Sequence, residues 1–141
     1  MKADSLVGAW RLCSFEYKAE GGRCFAPLGN EPQGLLIYDR SGYMSGMMAK
    51  RDRPLLSTND LSRIPENEKA AISDGFIAYS GRYEVDGDKV IHNVEVSFVP
   101  NWAGTPLDRF CQFEGKKLVL KTPPTNFNGR EYEGYVTWER L

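Results

Sequence analysis

The chain holds one histidine, His92, the only side chain whose ordinary pKa puts a charge change near neutral pH. On a strand it shares a face with Val90, Val94, Val96 and Phe98; the other face carries Ile91, Asn93, Glu95, Ser97 and Val99. An apolar face ordinarily turns inward, which puts His92 inside. The opposite register puts Asn93, Glu95 and Ser97 inside, where each needs a hydrogen bond. It also leaves Val94, Val96 and Phe98 to be covered by a helix or a second copy of the chain. Both registers stay open at this level. Tyr38, Tyr43, Tyr79 and Tyr83 could aim phenol donors at a carbonyl or a developing enolate. Arg109 shares a face with Leu107, Cys111 and Phe113, an unusual inward charge suited to a carboxylate or to pairing with Glu95. His92, Glu95, Tyr79 and Arg109 are therefore the candidates for catalysis, His92 or Glu95 moving the proton and Tyr79 or Arg109 stabilising charge. Each has a bland alternative: a satisfied histidine, a tyrosine chosen as a strand residue, an arginine in a surface ion pair.

Other residue types suit an apolar ligand better than a reaction. Met44, Met47 and Met48 surround Gly46, and thioethers adapt to irregular apolar shapes, in a core as readily as in a pocket. Asn101-Trp102 falls between strands, where a tryptophan must cover something, either a cavity mouth or a second copy of the chain in a homodimer. Tyr38, Tyr43, Met47, Tyr83, Asn101 and Trp102 are the candidate ligand contacts.

Charge and composition exclude several classes. With 18 basic and 19 acidic residues and a net charge of −1, nothing offsets a phosphate backbone, so nucleic acid is not the expected partner. No apolar run reaches the roughly 18 residues of a membrane helix, and Met1-Lys2-Ala3-Asp4-Ser5 lacks the apolar stretch of a secretory signal. The expected location is cytoplasmic. Cys13, Cys24 and Cys111 are odd in number and form no Cys-x-x-Cys, and with one histidine this argues for free thiols and no metal site. Neither a Gly-x-Gly-x-x-Gly, nor a phosphate loop, nor a Gly-x-Ser-x-Gly elbow is present, so no cofactor is expected.

The elements that must position these residues are strands. At 141 residues the chain is read as one domain, 1–141. The first strand covers about residues 9–17, with Trp10, Leu12, Ser14 and Glu16 on one face and Arg11, Cys13, Phe15 and Tyr17 on the other. Residues 34–38 and 43–49 form a hairpin across Asp39-Arg40-Ser41-Gly42. Residues 64–75 are the one helix signal, with Pro65 at the start, acids after it and Gly75 at the stop. Strands follow at 76–85, 89–99, 107–113, 117–121 and 131–140, the first two joined by an Asp-Gly turn. Residues 24–32 and 122–130 read as irregular links. The predicted fold is all-β: eight strands in an antiparallel up-and-down order, with one short helix between strands three and four. Eight strands close into a small barrel that holds side chains or one ligand; a Greek-key sandwich is disfavoured by the short connections.

Gly8-Ala9-Trp10 at the start and Arg140 at the end resemble the Gly-x-Trp and closing arginine of lipocalins, whose tryptophan plugs one barrel end under that arginine. Across most of the chain, Leu6–Leu12, Gly34–Tyr38, Gly42–Ser45, Arg51–Pro54, Ala78–Val85 and Pro100–Gly104 resemble the small intracellular lipocalin-like domain family of bacteria and fungi. The resemblance implies a calycin barrel whose cavity receives a small hydrophobic molecule, such as a polyketide- or terpenoid-like metabolite of natural-product biosynthesis. Related barrels include carriers and cofactor-free enzymes. The leading expectation is a cofactor-free isomerase or cyclase, with a non-catalytic carrier as the alternative and a filled barrel serving as an interaction module as the third. A missing cavity would remove both ligand readings, purely apolar walls would favour the carrier, and His92 or Glu95 meeting a tyrosine or Arg109 would favour the enzyme.

Overall fold

A computed structural model describes residues 1–141. Alternation of apolar and polar residues drives eight long strands: β1 (Gly8–Lys18), β3 (Gln33–Tyr38), β4 (Tyr43–Ala49), β5 (Phe76–Asp86), β6 (Lys89–Ser97), β7 (Pro106–Glu114), β8 (Lys117–Lys121) and β10 (Arg130–Arg140). Each pairs antiparallel with the next, and β10 returns to pair with β1 from Trp10↔Arg140 to Lys18↔Glu133. The sheet therefore closes as a barrel and leaves no long edge. Two short strands extend it, β2 (Cys24–Phe25) against β1 and β9 (Thr125–Phe127) against β10. Both fall in segments read as irregular links, because two or three residues are too few for alternation to show.

The helix α1 (Glu66–Ser73) lies between β4 and β5, the third and fourth barrel strands. It buries no residue, and Gly75, at φ +78°, turns the chain out of it. Side-chain hydrogen bonds tie it down. Glu68 accepts from the backbone N–H and hydroxyl of Ser57 at 2.6 and 2.8 Å, and Arg53 donates to the Ile72 carbonyl at 2.7 Å while lying 4.8 Å from the Phe76 ring.

The two barrel ends differ because the connections alternate in length. One end carries the tight turns that follow β3, β5 and β7. The other carries the long links 19–32, 50–75, 98–105 and 122–129. The tight end is plugged. Trp10 is 1% exposed and its indole N–H donates to the Leu6 carbonyl at 2.9 Å. The Arg140 guanidinium lies 4.2 Å from the Trp10 ring centre and donates to the carbonyls of Val7 at 2.8 Å and Ser5 at 2.6 Å. Gly8 makes this possible: its φ is +132°, and a Cβ there would sit 2.9 Å from the Arg140 Nη1. Gly8→Ala is accordingly expected to cost about 1–3 kcal/mol of stability, the usual range for backbone strain of this kind, read as a lower urea midpoint with unchanged slope.

Two bulges correct the faces expected from simple alternation. The β1–β10 register slips between Leu12 and Ser14, so Cys13 is an extra residue. Trp10 and Leu12 point inward before it, and Phe15, not Ser14, does so after it. In β6 the pairing moves from Ser80↔Val96 to Gly81↔Val94, which leaves Glu95 as the extra residue. Gly81 permits the close approach, since a Cβ there would collide with the Asn93 carbonyl. Val90, His92 and Val94 are buried as the apolar-face register requires, whereas Val96 (70% exposed) and Phe98 (44%) lie outside beyond the bulge.

Candidate ligand-binding site

A cavity of about 450 Å³ occupies the half of the barrel nearer the long links, within the range of small-molecule sites. Phe15, Leu36, Met44, Ile77, Leu120 and Val136 supply apolar wall, and Pro123 and Pro124 come from the link after β8. The lumen is not filled, which removes the interaction-module reading that required a packed interior.

One corner is polar. β6 places His92 inside, 1% exposed, and β3 and β5 bring a tyrosine to each ring nitrogen. The Tyr38 hydroxyl is 2.6 Å from Nε2 and the Tyr79 hydroxyl 2.7 Å from Nδ1. A neutral imidazole donates from one nitrogen and accepts at the other, so the two tyrosines cannot play the same role. The Tyr38 hydroxyl is buried with Nε2 as its one partner. If it accepted from Nε2, its own proton would be stranded, at about 1–3 kcal/mol. Tyr38 therefore donates to Nε2, Nδ1–H donates to the Tyr79 oxygen, and the Tyr79 proton is left over. Tyr79 lines the cavity and Tyr38 does not. The chain Tyr38→His92→Tyr79 thus delivers one phenol donor to the lumen.

Electrostatics hold this arrangement in place. Burial, reinforced by the Arg109 guanidinium, lowers the His92 pKa to about 3, so the imidazole stays neutral. Burial pushes the Tyr38 phenol well above its ordinary pKa. Burial also raises Tyr79, opposed by the charge and hydrogen-bonding reach of Arg109. Arg109 is half-buried on β7 and lines the cavity. Its Nη1 donates to the Asp108 carbonyl at 2.8 Å, and it joins no ion pair. The Asp108 carboxylate is held by Lys89 at 3.1 Å. The pairing of Arg109 with Glu95 does not form, because the bulge leaves Glu95 exposed.

The fold thus brings three of the four catalytic candidates, His92, Tyr79 and Arg109, to one corner and sets Glu95 apart. Among the ligand-contact candidates, Trp102 lines the cavity from the 3-10 turn Pro100–Trp102, edge-on to Tyr79 with ring centres 6.1 Å apart. Met47 borders the cavity although it is 48% exposed. Tyr38 stands behind His92. Tyr83 packs on Tyr38 and donates to the Asp39 carbonyl at 2.8 Å, toward the tight end. Neither Tyr38 nor Tyr83 lines the cavity, and the remaining two positions are corrected as well. Tyr43 faces outward, accepting from Arg82 at 2.8 Å, and Asn101 is exposed and does not line the cavity. Tyr43 sits one residue out of phase with the inward Met44, and the 3-10 turn presents Trp102 in place of its neighbour. The sequence reading missed Phe15, Leu120 and Val136; Phe15 was hidden by the Cys13 bulge, and the other two are ordinary inward strand residues.

Residues 7–141 match the family model described as a lipocalin-like domain. The chain belongs to that family. One relative is the 4'-hydroxy-3'-methoxypropiophenone carrier protein ppsC of Aspergillus oryzae, 31% identical over 107 residues, with 70% of this chain and 96% of the relative covered. Among solved structures, a lipocalin-like protein from Bacteroides uniformis is similar over 96% of this chain and 98% of its own, with a TM-score of 0.50 at 12% identity, a likeness of fold. An uncharacterized protein from Bacteroides eggerthii is similar over 95% of this chain and 98% of its own, with a TM-score of 0.45 at 13% identity. No helix in this lipocalin-like chain is long and apolar enough to cross a membrane.

Proposed function

We propose that this lipocalin-like barrel is a carrier that binds a small, mainly apolar aromatic ketone and releases it unchanged. One arrangement carries the reading: the cavity has mainly apolar walls and a corner where Tyr79 meets His92 at 2.7 Å, so that, with the tautomer argued above, Tyr79 has a proton to offer a ligand. A ketone fits that inventory, since its oxygen accepts a hydrogen bond and its remainder is apolar. The carrier relative, named for a hydroxylated aryl ketone, supports the same class.

The isomerase or cyclase reading keeps a specific support: His92 meets Tyr79, the arrangement expected of the enzyme, and Tyr79 beside Arg109 could stabilise an enolate. It lacks the other half of the chemistry. Both His92 nitrogens are occupied and its pKa of about 3 makes it a poor base. Glu95 lies outside, and the Asp108 carboxylate is held by Lys89.

Acetophenone is the simplest probe of the carrier reading. Calorimetric titration is expected to show one site per chain, and the recovered ketone to be chemically unchanged. Val136→Phe, which pushes a ring into the cavity, is expected to weaken binding at least tenfold with the fold intact by circular dichroism. Absence of binding by the wild type, or equal affinity in the variant, would sink the proposal; conversion of a ketone or enol ether panel would return the enzyme reading.

A further inference from the structure

We infer that the cavity selects acidic hydroxyaryl ketones and holds them as their conjugate bases, with anionic oxygen against the Arg109 guanidinium and the Tyr79 hydroxyl. The inference rests on the carrier reading and adds the ligand's charge state to it.

Three observations converge. Arg109 lines the cavity and has no carboxylate partner; its Nη1 donates to the neutral Asp108 carbonyl, and its guanidinium reaches toward the neutral Tyr79 hydroxyl. The Asp108 carboxylate, the one acidic side chain belonging to a lining residue, is engaged by Lys89 at 3.1 Å. The phenols and the imidazole beside Arg109 add no negative charge, since the buried Tyr38 and the half-buried Tyr79 are raised above their ordinary pKa and His92 is neutral. A half-buried guanidinium with no anionic partner gains a charge-assisted pair when an anion reaches it. Tyr79, fed by Nδ1–H, adds a donor that an anionic oxygen accepts more strongly than a neutral carbonyl does. A para-hydroxyaryl ketone suits the pair because its phenol is a vinylogous acid: loss of the O–H proton spreads charge between the phenolic and carbonyl oxygens. On binding, the phenol O–H bond breaks, its electron pair stays on oxygen and the proton goes to solvent. No other bond changes.

The probe is 4-hydroxyacetophenone, whose phenolate absorbs at longer wavelength than its phenol. In the presence of excess protein, its ionisation midpoint is expected at least one pH unit below that of the free probe, a tenfold shift in favour of the anion. Arg109→Met is expected to return the midpoint to the free value or above, and Arg109→Lys to retain part of the shift. The methyl ether, 4-methoxyacetophenone, cannot ionise and is expected to bind the wild type at least tenfold more weakly at pH 8. A bound midpoint at or above the free value overturns the inference, as does equal affinity for the ether. The ether comparison needs no variant, so it decides the matter even where Arg109→Met fails to fold. If both compounds bind equally, the carrier reading stands and the charge assignment falls; if neither binds, both fall.

Discussion

Trp10→Ala is expected to lower stability by about 3–5 kcal/mol, the cost of truncating a large buried aromatic, while leaving ketone affinity unchanged. Trp10 is 1% exposed, and its loss removes three things together: the ring under the Arg140 guanidinium, the hydrogen bond to the Leu6 carbonyl and the fill of the tight end. It does not line the cavity. Arg140 would be left over a void, still bonded to the Val7 and Ser5 carbonyls. Urea denaturation monitored by far-UV circular dichroism gives the stability, and calorimetry with acetophenone at a temperature where the variant is folded gives the affinity. A stable variant that loses binding would mean that the plug and the binding end have been assigned the wrong way round.

Acid is expected to act through His92 with a slope set by linkage. Its folded pKa of about 3 lies below the ordinary 6.5 that the unfolded chain regains. Between those values the unfolded state binds a proton and the folded state does not. The contribution is therefore intact above pH 6.5 and is lost as pH falls toward 3, by about 1.4 kcal/mol per pH unit. Carboxylates titrate in the same window, so the comparison needs a variant that does not titrate at this position. His92→Gln keeps a donor and an acceptor for the two tyrosines. It is expected to be less stable than wild type at pH 7, with the gap narrowing at the slope above as pH falls through 6 and 5. Parallel stability curves for the two proteins would contradict a buried, neutral His92.

Much of the barrel was legible in the sequence because period-two alternation, turn glycines and the Trp10–Arg140 bracket all point the same way. The faces were less legible. A single inserted residue reverses every side chain beyond it, and neither Cys13 nor Glu95 looks like an insertion until its partner strand is in place. The polar corner was visible only as residue types. That His92, Tyr79 and Arg109 meet depends on three strands and the shear between them. That Tyr38 rather than Tyr43 stands behind His92 follows from which β3 and β4 residues turn inward. Glu95 illustrates the limit: its chemistry suited a base, and one backbone bulge moved it to the surface.

The direction of the Tyr38→His92→Tyr79 chain underlies both the carrier reading and the anion inference, and the single histidine makes it directly measurable. Protein labelled with 15N at histidine gives one imidazole to observe. The expected spectrum shows a neutral ring with the proton on Nδ1, an unprotonated Nε2 and no titration between pH 7.5 and 5, consistent with a pKa of about 3. A proton on Nε2, or two averaged nitrogen signals that move together near pH 6.5, would contradict it. Tyr79 would then have no spare proton to offer a ketone.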